Sequence, residues 1–342
     1  MVTWFVTALL ALNLPPVSPS GPNRQPQLAA AGGTVALVFG SGESIWLARS
    51  TDDGIHFGAP AKVADLPKLM LGRHRGPRVA IAGGTLLVSA IASTPGDLLV
   101  WRSDDGGRTW QSPRTINDEP TAAREGLHAM AADAAGHVAI VWLDDRGGKG
   151  KKLYGAFSND GGATWGKNVA LYRSPSGSIC ECCHPSLAAL GNGSFEVMWR
   201  NSVDGNRDLY AMKLSGGAPA GDAVRQGNGS WKLNACPMDG GGLAMREGRV
   251  GSAWRREKDV YLAEPGKPER RLAAGQDVAL AANNQGWYVV WSTPAGIQAM
   301  LPNAEKVTQV SDSGAFPALV TTSGGAVIAA WEENGAIATR RM

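Results

Sequence analysis

A single all-β domain, a propeller of four-stranded blades, is the fold that this 342-residue chain predicts. Two periodicities carry the prediction. The first is a pair of short apolar strands joined by a turn, found seven times from residue 26 onward and often ending in Trp. The second is a turn motif, S-x-D-x-G-x-x-[W/F], that starts at Ser50, Ser103 and Ser158, spacings of 53 and 55 residues. Periods of this length mark units that bury their apolar faces only against one another. Seven pairs favour seven blades, with six as the alternative.

The pairs run in order along the chain. They are Pro26–Ala30 with Val35–Phe39, Pro77–Ile81 with Leu86–Ala90, and His128–Ala132 with Val138–Trp142. Next come Pro185–Ala189 with Phe195–Trp199 and Gly241–Met245 with Val250–Trp254. Val278–Ala282 with Trp287–Trp291 and Pro317–Thr321 with Val327–Trp331 complete the set. Their near-continuous apolar character suits strands covered on both faces, the inner half of a blade. More polar strands follow each pair. The last unit has room for only three strands, so closure draws an outer strand from the segment before Pro26. Pro15, Pro16, Pro19 and Pro22 in that segment restrict it to a sheet edge.

The turn motif has a physical logic. Ser50, Asp52, Gly54 and Phe57 form the first copy. Ser103, Asp105, Gly107 and Trp110 form the second, and Ser158, Asp160, Gly162 and Trp165 the third. The Ser and Asp oxygens accept backbone N–H bonds, the Gly supplies φ > 0, and the aromatic pins the loop to its blade. A hairpin between third and fourth strands is the expected place. These aspartates are scaffold rather than catalysts.

Lys+Arg 33 against Asp+Glu 30 leaves a net charge of +3, too small and too evenly spread for nucleic-acid binding. Residues 1–22 read as a signal peptide or N-terminal anchor, with an apolar run over 1–14 that is short for a membrane span. No other segment is apolar for long enough to cross a bilayer. The expectation is a propeller over 26–342 in an exported, periplasmic or extracellular protein.

The motif resembles the BNR or Asp-box repeat of sialidase-like propellers, and the resemblance covers nearly the whole chain beyond residue 26. Propeller geometry then sorts residues by face. Segments before first strands and after second strands share one face, here called upper; the Asp-box hairpins fall on the lower face. Sialidases resemble one another in an Arg-x-Pro opening of an inner strand, matched here by Arg75-Gly76-Pro77. The resemblance implies a carboxylate clamp of Arg75, Arg200 and Arg255, since forked guanidinium donors bind carboxylates bidentately. Asp97 as acid and Glu125 as base would complete a glycosidase, but none of the five tyrosines falls where its nucleophile belongs. Interblade salt bridging is the plainer reading of the arginines. The leading expectation is a non-catalytic propeller that binds an acidic glycan or other small ligand on its upper face, with the glycosidase as the alternative; oligomeric state is open.

The cysteines form the second signal. Cys180, Cys182, Cys183, His184 and Cys236 all map to the upper face. Three readings stand. An even cysteine count in an exported chain suits disulfides, with Cys180 or Cys183 joined to Cys236. A thiolate-rich set with one imidazole, and Met238 nearby, suits copper or zinc. Cys180-x-x-Cys183-His184 also matches the attachment pattern of haem c.

Overall fold

Seven four-stranded sheets make a closed ring in the computed structural model, which describes residues 12–18 and 21–342. The innermost strands are Asn23–Ala31, Arg78–Ala82, His128–Ala132, Ser186–Gly191, Gly242–Arg246, Gln276–Asn283 and Ala315–Thr321, numbered here as blades 1 to 7. Each pairs antiparallel with the strand that follows it, and the meander repeats outward. Blade 4 adds a short extra strand, Val224–Arg225, beside Leu209–Ser215. Seven blades, rather than six, is therefore the arrangement.

Alternation within the strands explains the ring. Second strands are buried on both faces, as in Val138–Asp144, where every residue is inaccessible. One blade's side chains fill the next blade's gaps. Val38, Ile45 and Leu47 of blade 1 pack with Val79, Ile81 and Val88 of blade 2. Each fully buried aliphatic of this kind contributes about 1.5–3 kcal/mol. The strand-ending tryptophans Trp142, Trp199, Trp291 and Trp331 are fully buried. Above two of them the chain has no room for a side chain: a Cβ on Gly275 would meet Trp291 Cδ1 at 2.1 Å, and one on Gly314 would meet Trp331 Cδ1 at 2.5 Å.

Closure uses the N-terminal segment. Leu12–Leu14 forms the outer strand of blade 7, paired antiparallel with Ala336–Arg341. It lies at a sheet edge, directly before Pro15 and Pro16. The fold therefore reaches back past residue 26, and residues 12–14 of the expected leader belong to the sheet. The rest of the apolar run, residues 1–11, lies outside the described residues. No helix among the described residues is long and apolar enough to cross a membrane.

The Asp-boxes join third to fourth strands in blades 1, 2 and 3. In each, the Ser hydroxyl accepts the Gly N–H at 2.8–2.9 Å and donates to the Asp carboxylate at 2.6–2.8 Å. The second carboxylate oxygen takes His56 Nδ1 at 2.7 Å, Thr109 Oγ1 at 2.6 Å or Thr164 Oγ1 at 2.5 Å. The boxes also tie blades together. Arg49 Nη1 donates to Gly106 O at 2.5 Å, and Arg102, one blade on, donates to Gly161 O at 3.0 Å.

Candidate functional site

Three of the inner strands open with the same irregularity. Register slips between Arg24 and Gln27, Gln276 and Ala279, and Ala315 and Ala318. The displaced residues Gln25, Asp277 and Phe316 have φ of 57°, 55° and 53°. A left-handed bulge costs strain for a side-chain-bearing residue and persists only where neighbours hold it. Side chains do so here. Gln25 N–H donates to Glu332 Oε1 at 2.8 Å, Asp277 N–H to Asp239 Oδ2 at 2.9 Å, and Phe316 N–H to Ser292 Oγ at 3.1 Å. Ser292 and Glu332 each follow a strand-ending Trp, so one blade fixes the start of the next.

Blade 2 is preceded by a tight hairpin. Gly72 and Arg75 exchange backbone hydrogen bonds at 3.0 and 3.1 Å, and the two corner residues, Arg73 and His74, have φ of 52° and 66°. Positive φ at both corners is the type I′ turn, which seldom carries such side chains. Buried Arg78 holds the segment in place. Its guanidinium donates to the carbonyls of His74 at 2.5 Å and of Gly76, Pro77 and His128 at 3.1 Å. Burial lowers its pKa to about 10, leaving it cationic.

These strained openings surround a cleft of about 590 Å³ on the upper face. Arg24, Arg73, Arg75 and Arg255 line it, with Asp277 and Phe316. Arg75 is steadied by the Glu125 carbonyl at 2.7 Å, with the Glu125 carboxylate 3.8 Å away. Arg255 donates to Glu257 O at 2.6 Å and lies 5.4 Å from the Trp231 ring. Arg24 is 3.5 Å from Glu332, and Arg73 reaches Met238 Sδ at 3.0 Å. Under the cleft, His74 Nε2 bonds Asp277 Oδ1 at 2.9 Å. The His74 ring stacks on His184 with centroids 4.0 Å apart. Both rings line the mouth of the axial channel, about 210 Å³.

Of the expected clamp, Arg75 and Arg255 come together and Arg200 does not. Arg200 is 1% exposed and spends its guanidinium on the carbonyls of Asp239, Arg207 and Arg255 at 2.9, 2.5 and 2.9 Å. It is a buried strut. Arg24 and Arg73 take its place in the cleft. Arg24-Gln25-Pro26 repeats the Arg-x-Pro of residues 75–77, so Arg24 had a readable signal; Arg73 had none. Asp97 is outside the cleft, accepting Asn117 Nδ2 and Thr121 N–H at 2.7 Å each. Glu125 is held by Lys151 Nζ at 2.9 Å. Neither is placed as an acid or base. Tyr154, Tyr172, Tyr210, Tyr261 and Tyr288 all lie within strands, and none lines the cleft.

The cysteine expectation is divided. Cys180, Cys182 and Cys183 gather in a buried cluster, with Cys180 Sγ 3.8 Å from Cys182 Sγ and 3.4 Å from Cys183 Sγ. Hydrogen bonding from Cys182 and Cys183 pulls the Cys180 pKa down. Bonding to Cys180 raises that of Cys182, and burial raises that of Cys183. Cys236 stands apart and exposed, and all four cysteines are free thiols, so the expected bridge to Cys236 is not formed. The chain turns at Met238, φ 59°, and it is Met238 that packs on the cluster. His184 is also excluded. Its ring faces the channel, with Nδ1 accepting Gly240 N–H and Nε2 bonded to Gly241 O, each at 3.2 Å. Burial, then the neighbouring His74 and Arg78, holds its pKa well below the ordinary imidazole value. Nothing in this geometry supports the haem c reading, since both nitrogens of its axial imidazole have backbone partners.

No family profile and no curated protein matches the chain. Solved structures do. An intramolecular trans-sialidase from Ruminococcus gnavus, in complex with oseltamivir carboxylate, superposes with a TM-score of 0.57 at 10% identity, covering 98% of this chain and 97% of its own. An ulvan lyase, of a polysaccharide lyase family, gives 0.56 at 9% identity over 96% and 95%. A Hadza microbial sialidase gives 0.53 at 15% identity over 97% and 68%. At such identities the likeness is one of fold, and the chain has the sialidase-like β-propeller fold in a seven-bladed ring.

Proposed function

We propose that the chain is an exported propeller that binds an acidic saccharide in the upper-face cleft. The convergence of Arg24, Arg73, Arg75 and Arg255 on one cleft carries the reading. Arg24 lies 3.5 Å from Glu332 and Arg75 3.8 Å from Glu125, but Arg73 and Arg255 form no ion pair among the described residues, so the cleft keeps cationic donors suited to a carboxylate or sulfate ligand. Two neighbours in fold support the ligand class: one was solved with oseltamivir carboxylate, the other with a saccharide containing GlcA. Sialidase-type hydrolysis has less support, since no described tyrosine lines the cleft. Export rests on the apolar run at the N-terminus, with processing ahead of Leu12 so that the closing strand is kept.

One observation favours a second reading. The His74–Asp277 pair lies beneath the cationic cleft. A uronate carboxylate neutralised by arginine has a more acidic α-carbon, and Asp277, which lines the cleft with His74 hydrogen-bonded behind it, would take that proton as β-elimination expels the leaving oxygen, which water protonates. One experiment separates the readings. Calorimetry on sialylated and uronate-containing oligosaccharides and their neutral counterparts should show binding of acidic forms alone, weakened at least tenfold in Arg75→Ala and Arg255→Ala. Equal binding of neutral sugars would overturn the proposal. Ultraviolet absorbance from a new unsaturated uronate in the same mixtures, lost in His74→Ala, would mark the chain as an eliminase.

A further inference from the structure

The three clustered thiols are not accounted for by the cleft. We propose that Cys180, Cys182 and Cys183 form a trigonal site for one Cu(I) ion. Cys180 Sγ lies 3.8 and 3.4 Å from its two partners, and all three sulfurs fall within 4.8 Å of one another. Metal–sulfur bonds of about 2.3 Å place the corners of a trigonal site about 4 Å apart, so a cation enters with little rearrangement. The surroundings suit a soft ion. The cysteines are 1%, 7% and 1% exposed, and Met238 packs over them. Buried thiolates in an apolar setting favour Cu(I) over oxygen-seeking cations. His184, the imidazole that a Zn(II) site would recruit, is held in the channel by Gly240 and Gly241.

Local structure holds the triangle before any ion arrives. Cys180 N–H donates to Arg200 O at 3.0 Å, and Ile179 N–H to Lys151 O at 3.0 Å, so the segment is clipped to two blades. The buried Arg200 guanidinium acts electrostatically on Cys180 and Cys183 and offsets part of the charge of a three-thiolate complex. Loading forms three Cu–S bonds and releases to solvent the protons that the sulfurs still carry. No electron is transferred, because copper arrives as Cu(I). Cys182, the least buried of the three, is the point of access.

The test is anaerobic titration of the reduced full chain with Cu(I) against a chromophoric Cu(I) chelator. One equivalent should be withdrawn from the chelator, with sulfur-to-copper charge-transfer absorption and an X-ray absorption shell of three sulfurs. Affinity should fall at least 100-fold in Cys182→Ser and Cys183→Ser and stay unchanged in Cys236→Ser. Cys182→Ala and Cys183→Ala, which bury no hydroxyl, give second variants should the serine variants fail to fold; the same loss of affinity is expected there. Failure to withdraw copper with all four thiols titratable would overturn the proposal. So would equal loss in Cys236→Ser, or stoichiometric Zn(II) binding that Cu(I) does not displace.

Discussion

The two faces of this ring handle charge in opposite ways. On the lower face every Asp-box carboxylate is consumed inside its own turn, by a Ser hydroxyl, backbone N–H groups and a Thr or His side chain. On the upper face four arginines line one cleft, and two of them, Arg73 and Arg255, form no ion pair among the described residues. The most recognisable motif thus lies on the self-satisfied face, and the proposed binding cleft lies on the other. A motif that satisfies itself builds a scaffold; unanswered donors point to a ligand.

The sharpest way to break this contrast is inside the upper face, with Arg200 and Arg255. Each directly follows a strand-ending Trp, in adjacent blades. Arg200→Ala strips three backbone carbonyls of a buried charged donor and should cost about 3–5 kcal/mol in urea denaturation. Arg255→Ala should stay within about 0.5 kcal/mol in the same assay while losing ligand binding. Equal losses would mean that the division between strut and cleft is wrong.

A smaller effect tests whether the loops above the tryptophans are rigid. Gly275→Ala drives a methyl into Trp291 without any demand on φ, and overpacking of this kind costs about 1–3 kcal/mol. A lowered melting temperature is expected. No change would show that the loop above Trp291 yields readily.

The smallest effect belongs to the lower face. Hydrogen bonds from the Thr164 hydroxyl, then the Thr164 N–H and Ser158, lower the Asp160 pKa from 3.8 to about 2. A carboxylate depressed in the folded state adds stability above its unfolded pKa and loses it as pH falls through the folded value. Melting temperature should therefore drop between pH about 4 and about 2, modestly because the group is exposed. Asp160→Asn should flatten that slope and leave ligand binding untouched.

Much of the fold was legible because it is periodic and local. Seven apolar strand pairs and three turns repeat in the chain, and each is stabilised mostly by its neighbours. The site was legible only in part. Arg75 and, by the same tripeptide, Arg24 announce themselves. Arg200 and Arg255 share one local context, and what separates them is the segment over 231–239, where Trp231 lies beside both and Asp239 O accepts the Arg200 Nε–H. The cysteines mislead for a similar reason. Aligning Cys180 with Cys236 ignores the left-handed turn at Met238, which puts a thioether rather than the fourth thiol against the cluster. Such reversals depend on backbone angles that residue identities do not print.

The closing strand sets a clock on folding. Leu12 O accepts the Thr339 hydroxyl proton across 327 residues of chain. Bringing such distant points together costs on the order of 5 kcal/mol of loop entropy, so the pairing forms once the intervening blades have shortened the gap. Synthesis at about 5–20 residues per second keeps the first strand waiting for tens of seconds before its partner exists. Through that interval Leu14 is bare and blade 7 cannot exist. The ring thus cannot close before its last blade is present, and Leu12–Leu14 wait for the far end of the chain to find their place.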